Sequence, residues 1–183
     1  MSLKSLLAIA SIAGSLLVVN VAHADVMVGG AAMYSNKNIV QNAVNSADHT
    51  TLVAAVKEAG LVDALQGKGP FTVFAPVNSA FAALPADTVD TLLKPENKAQ
   101  LTKILRYHVV PGNVTFVKLK KLVQTGKGKA ELKTLAGENL TAMLNGPNNI
   151  TIADAKGNTA DITIYDVIQS NGVIHSIDKV LMP

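Results

Sequence analysis

The 183-residue chain contains neither cysteine nor tryptophan. The missing thiols exclude a disulfide framework, a thiolate metal site and a cysteine nucleophile. Charge is scarce as well: 16 Lys and Arg stand against 13 Asp and Glu, a net charge of +3. So small an excess does not neutralise the many phosphates on which nucleic-acid affinity depends, and no nucleic-acid partner is expected. The loops that hold common cofactors are missing too. Gly67-Lys68-Gly69-Pro70 lacks the glycine spacing of a phosphate cradle, and its proline removes an amide donor. There is no Gly-x-Ser-x-Gly elbow and no close histidine pair, so neither a cofactor nor a metal is expected. What the chain does have is apolar mass. Hydrophobic residues make up 49%, enough for one packed domain at this length.

Much of the mean hydropathy of +0.30 comes from the N-terminus. Lys4 is the only charged side chain before Asp25, and an apolar run from Leu6 to Val19 follows it. Ala22-His23-Ala24 then places small residues at the positions a signal peptidase reads. Residues 1–24 are therefore expected to be a signal peptide, cut between Ala24 and Asp25. The apolar run is short for a ~20-residue membrane span, and Asn20 interrupts it. No later run is long enough to span a bilayer, so no transmembrane segment is expected after cleavage and the product is secreted or periplasmic. Residues 25–37, rich in Gly, Ala and Met without a period, read as a loose N-terminal lead. Residues 38–183 form the domain.

From Asn38 the pattern is helical. Ile39, Val40, Ala43 and Val44 make one stripe. Asp48 is placed to cap a second helix, in which Leu52, Val53, Val56 and Ala59 share a face and which Gly60 ends. A short turn over Leu61–Leu65 leads to a strand, Phe71–Phe74, bounded by prolines. Asn78 or Ser79 is expected to cap the short helix that follows, and Ala86–Leu93 to form another. Pro95 suits the first turn of a longer helix running into Tyr107-His108-Val109-Val110. Beyond Pro111-Gly112 the pattern is mainly strands: Ala130–Leu135, Leu140–Leu144, Ile150–Ala153, Ile162–Tyr165, Val173–Ser176 and Val180–Met182. Helices first and strands afterwards indicate an α+β fold with a largely antiparallel sheet.

Two features carry candidate chemistry. His108 and His175 each sit inside an apolar run, where the ring nitrogens need hydrogen-bond partners. A buried histidine tying two segments together explains this better than a ligand or general base, which needs an orienting partner. The other feature is the Lys118–Lys133 stretch, where Lys118, Lys120, Lys121, Lys127, Lys129 and Lys133 are opposed only by Glu131. Such a run attracts anionic polysaccharide, lipid headgroups or an acidic protein. As a solvated, glycine-broken loop it has no such role, and like-charged runs are usually of that kind.

Three stretches together resemble the fasciclin domain, a secreted or cell-surface adhesion module. Phe71-Thr72-Val73-Phe74-Ala75-Pro76-Val77-Asn78-Ser79-Ala80-Phe81 is similar to its first box. Leu105–Gly112, with Tyr107-His108 and Pro111-Gly112, is similar to its Tyr-His motif. Ser170–Pro183, with Asn171-Gly172 and His175, is similar to its second box. They stand in the family's order, and the resemblance extends from Asn38 to Pro183. It implies a compact wedge, with N-terminal helices packed on a largely antiparallel sheet and the boxes serving mainly as scaffold. Phe71, Phe74 and Phe81 then supply aromatic core, and Pro76 and Asn78 turn strand into helix. Tyr107 and His108 lock the long helix to the sheet, and Asn171-Gly172 makes a tight turn.

The function that the resemblance implies is adhesion, by homophilic contact or by binding a cell-surface or matrix protein or a glycan. In animal relatives an Asp-Ile pair before the second box and the Tyr-His region are credited with partner binding. The matching positions here are Asp166 and Val167, with valine in place of isoleucine, and Tyr107 and His108. The turn habits of aspartate offer Asp166 the plainer role of a cap at a strand edge. The chain is therefore read as a non-enzymatic adhesion module. One alternative is a binder of anionic polysaccharide or lipid through Lys118–Lys133; another is a hydrolase or metal-dependent enzyme built on Asp166, His108 or His175.

Overall fold

A computed structural model describes residues 26–85 and 87–183. The expected signal peptide and its cut site lie outside the described residues. Where a loose lead is expected, the chain forms a hairpin: β1 (Val26–Val28) pairs antiparallel with β2 (Ala31–Met33). Gly29 and Gly30 make its turn, both at positive φ, the geometry that two-residue hairpins favour. Val28 and Met33 are buried in the core. Strands of three residues are too short to display a period of two, so composition alone misreads them as a lead.

Helices α1 (Ile39–Ala43), α2 (Thr50–Glu58) and α3 (Val62–Gln66) follow. Asn38 caps α1 in a reciprocal box with Gln41. Asp48 does not cap α2, which is entered through a 3₁₀ turn at Ala47–His49. Instead the Thr51 amide donates to Oδ1 of Asn78 at 3.0 Å. Asn78 is the first residue of α4 (Asn78–Ala82) and makes no cap for its own helix. Its Nδ2 donates to the Ala47 carbonyl at 2.8 Å, so the side chain bolts α4 to the start of α2. Helices α5 (Thr88–Leu92) and α6 (Lys98–Tyr107) complete this half, with Pro95 in the 3₁₀ turn ahead of α6.

The main sheet has seven strands in the order β4-β3-β9-β8-β7-β6-β5. They are β3 (Phe71–Pro76), β4 (Val109–Pro111), β5 (Lys129–Lys133), β6 (Asn139–Leu144), β7 (Ile150–Ala153), β8 (Thr159–Gln169) and β9 (Gly172–Ile177). Every neighbouring pair is antiparallel except β3 and β9, which run parallel with Phe71 opposite Gly172. These two strands are buried on both faces, which accounts for their near-continuous apolar runs. Val73, Ala75 and Ile174 enter a first core with the helices, while Phe74 and Ile177 enter a second with Leu140, Ile150 and Ile152. The sheet curls around that second core until its edges meet. The Leu135 amide, just past β5, donates to the Val109 carbonyl in β4 at 2.8 Å.

Three further expectations need correction. Val109 and Val110 belong to β4 rather than to the end of α6. Lys118–Lys133 is not a glycine-broken loop: most of it lies in α7 (Phe116–Thr125) and β5, with glycines only in the turn between them. Val180–Met182 is not a strand, although Leu181 is fully buried. A direct check of the hairpin is Met33→Ala. Loss of this buried side chain should lower the unfolding free energy by about 2–5 kcal/mol in urea, whereas a loose lead would give a change within about 0.5 kcal/mol.

Candidate functional site

Tyr107 and His108 stand at the C-terminal end of α6 with only 0% and 2% of their surface exposed. The Tyr107 hydroxyl donates to the Asn139 carbonyl and accepts from the Ala155 amide, both at 3.0 Å. It ties α6 to β6 and to the turn between β7 and β8. The His108 ring lies between the Ile104 carbonyl, 2.9 Å from Nδ1, and the Leu181 amide, 3.0 Å from Nε2. A carbonyl only accepts and an amide only donates, so Nδ1 carries the proton and the ring is neutral. Burial pushes its pKa down to about 4, against the weaker opposing pull of the Ile104 carbonyl. Tyr107 thus locks the helix to the sheet, His108 ties it instead to the C-terminal segment, and neither presents surface to a partner.

His175, fully buried on β9, holds Asp166 in place. Its Nε2 donates to the Val114 carbonyl at 2.9 Å, and its Nδ1 accepts from the Asp166 amide at 3.3 Å. Burial lowers its pKa as well. Asp166 falls in an irregularity of β8 with φ of 53°, the left-handed region that aspartate tolerates better than most residues. Its Oδ1 accepts from the amide of Phe116, the first residue of α7, at 2.7 Å. A carboxylate there satisfies an otherwise free amide and is favoured by the helix dipole. Asp166 is thus a cap for α7 rather than for a strand edge. Its neighbour Val167 is 1% exposed and packs in the first core. Of the four residues expected to meet a partner, only Asp166 reaches solvent.

The helix that Asp166 caps carries three of the six lysines. Leu119 and Val123 are buried against the second core, and the opposite face exposes Val117, Lys118, Lys121 and Leu122. Lys120 is half-buried, with Nζ donating to the Pro147 carbonyl at 2.8 Å. Lys127 occupies the turn, and Lys129 and Lys133 point outward from β5 on either side of Glu131. β5 is an edge strand, where lysines discourage pairing with another chain. The lysines are therefore divided between a helix face, a turn and a sheet edge.

Four buried polar residues escaped the sequence reading. Asn42 and Gln169 are buried and bond to each other, joining α1 to β8. His49 is buried at the mouth of α2, its Nδ1 2.9 Å from Ser46 Oγ and its Nε2 3.4 Å from Ser176 Oγ. Burial lowers its pKa. The one signal that pointed to it is spacing, since His49 falls one turn ahead of Leu52 and Val53 on the apolar stripe. Asp154 is the fourth, and it organises the C-terminus. Its burial favours the neutral form, but bonds from Asn158, Met182 and Lys156 hold the carboxyl below its ordinary pKa.

The fold matches a FAS1 domain pair from the insect cell adhesion molecule Fasciclin I with a TM-score of 0.71, at 19% identity. That match covers 80% of this chain and 51% of the other. The family model of the fasciclin domain matches residues 47–183. The chain belongs to the fasciclin domain family. Protein sll1483 of Synechocystis is 50% identical across 86% of this chain and 79% of its own length. The immunogenic protein MPB70 of Mycobacterium bovis is 36% identical across 77% of this chain and 66% of its own. The transforming growth factor-beta-induced protein ig-h3 of Sus scrofa is 38% identical over 72% of this chain, which corresponds to 17% of that protein.

Within this fasciclin domain the buried polar residues of the boxes bond internally. Asn171 Nδ2 donates to the Leu65 and Gly67 carbonyls at 2.8 and 2.9 Å, and its Oδ1 accepts from the Ile39 amide at 3.0 Å. A Cβ at Gly172 would overlap the Phe71 backbone, so only glycine fits there. Phe71 and Phe81 pack on the first core and Phe74 in the second. The Gly112 amide donates to the Pro70 carbonyl at 2.8 Å, closing the end of β4 that Pro111 forms. No three His, Asp or Glu side chains among the described residues are grouped to hold a metal ion. Both nitrogens of His108 and of His175 are engaged, which leaves neither ring free to ligate or to take a proton.

The buried histidines make stability depend on pH. Unfolded histidine titrates near 6.5, so below that pH the unfolded chain binds protons that the folded chain refuses. Stability is full above about pH 6.5 and falls as the pH drops towards 4, with His108 alone contributing about 3 kcal/mol. Urea unfolding across this range should show the fall, and His108→Gln, less stable at neutral pH, should lose less of its stability on acidification.

Proposed function

We propose that this protein is a non-enzymatic adhesion or surface-interaction module whose contact surface is the outer face of α7, with Asp166 at its N-terminal end. The observation that carries the reading is the contrast between the boxes and this helix. The buried polar groups of the boxes bond inward, while α7 exposes Val117 at 73% and Leu122 at 39% beside Lys118 and Lys121. Apolar side chains flanked by charged ones have the make-up of an interface centre with a polar rim. The likeness to a cell adhesion molecule in fold, and to ig-h3 in sequence, supports the same reading. The partner is a cell-surface or matrix protein, a glycan, or a second copy of this chain. In this reading residues 1–24 are removed and residues 25–183 act in the periplasm or outside the cell. No helix among the described residues is long and apolar enough to cross a membrane.

One observation favours the alternative of an anionic polysaccharide or lipid. Lys118, Lys121, Lys127, Lys129 and Lys133 are exposed, and none of them makes an ion pair among the described residues. The two readings separate in an adhesion assay with beads coated with residues 25–183. A protein contact at α7 should persist at raised salt and fall at least about tenfold in Val117→Glu, the effect of ~1.4 kcal/mol. Asp166→Asn, which keeps a capping oxygen, isolates the role of the charge. Adhesion that salt abolishes, or that only the triple change of Lys118, Lys120 and Lys121 to Ala removes, favours the anionic polymer. Beads that stick to nothing under any condition refute adhesion.

A further inference from the structure

The geometry points to a binding site in the first core for a single-chain amphiphile with an anionic head group. A cavity of about 410 Å³ lies between helices α1–α3 and the sheet. Val28, Met33, Val40, Val56, Leu65 and Ile174 are among the side chains that wall it. Protein interiors are packed like organic crystals, with few voids larger than a water molecule. A space within the ~300–1,000 Å³ of small-molecule sites is therefore a feature to be explained.

The lining sets the chemistry of the occupant. It is overwhelmingly aliphatic, and no Asp or Glu borders it. Of its polar side chains, Ser46 and His49 bond to each other and His108 has both nitrogens engaged. A sugar or nucleotide placed inside would lose its hydrogen bonds to water and find few in return. A hydrocarbon chain loses nothing. The charged residues in the lining are Lys57 on α2 and Arg106 on α6, and both are exposed. A side chain that lines a cavity and is itself exposed stands where the wall meets solvent. Neither forms an ion pair with a described residue. A carboxylate or phosphate head left at the surface meets these two cations, while a cationic head is repelled. The site is independent of the adhesive surface on α7, which packs on the second core.

Calorimetric titration of residues 25–183 tests this, with dodecanoate and dodecyltrimethylammonium as monomeric probes. The expected result is one dodecanoate per chain, with the cationic probe at least tenfold weaker, about 1.4 kcal/mol. Val56→Trp, which fills the cavity, should abolish binding while thermal unfolding shows the variant folded. Lys57→Glu with Arg106→Glu, both on the surface, should reverse the preference between probes, and this pair decides the matter if the filled variant does not fold. Failure of the folded wild type to bind dodecanoate, equal affinity for both probes, or full binding by a folded Val56→Trp variant each overturns the proposal.

Discussion

Strands β3 and β9 come from the first and last boxes of the sequence, yet they run parallel at the heart of the sheet with Phe71 opposite Gly172 and Pro76 opposite Ile177. The rest of the architecture depends on this contact. Alternate residues of each strand enter different cores, so one pair of strands supports both the helical layer and the curled sheet. The approach is possible only because position 172 has no side chain to collide with Phe71. The turn before β9 then adds Asn171, whose amide group collects backbone partners from α1 and from the C-terminal end of α3. Two short motifs far apart in the chain are bound together at one point, and the helices between them are packed by consequence.

Neutral imidazoles do for this cysteine-free domain part of what disulfides do elsewhere. His108 joins α6 to the C-terminal segment, and His175 joins β9 to the start of α7 and to Asp166. Each ring has one donor and one acceptor, and each finds a backbone group of the opposite kind, so burial leaves nothing unsatisfied. The same saturation removes them from chemistry. A general base needs a free lone pair facing a substrate, and a metal ligand needs the same. The resemblance that marks Tyr107-His108 as partner-binding is better understood as marking a joint, since loss of either side chain reaches the surface only through the packing it disturbs.

Much of this was readable from the residues. The apolar run Phe71–Phe74 between prolines, the stripe of α2 and the three boxes fix the helices, most strands and the family. What escaped had a physical reason in each case. The β1–β2 hairpin is too short to show a period. In α7 the pattern Leu119 and Val123 is genuine, but its three lysines, continued by three more in the turn and β5, read as a solvated run. Val180-Leu181-Met182 is apolar like a strand, yet His108 and Asp154 take up its amides, so no ladder forms. Asn78 has the chemistry of a local cap, and a tertiary donor, Thr51, outcompetes its own helix. The candidate sites were harder still. The left-handed bend at Asp166 depends on His175 from the next strand, and a cavity is a property of what distant segments fail to fill.

Asp166 and Val167 show why a site of this kind resists a simple mutational reading. They are neighbours on an irregular stretch of β8, and they serve opposite sides of it. Asp166 turns outward to cap α7, while Val167 borders the cavity in the first core. A packed interior transmits strain, so a larger or smaller residue at 167 moves the bend that positions the 166 carboxylate. Loss of adhesion on changing Val167 therefore does not identify a contact, because the side chain never reaches the surface. The informative changes are those that alter charge at 166 without altering shape, or that alter exposed residues of α7, since these leave the two cores as they are.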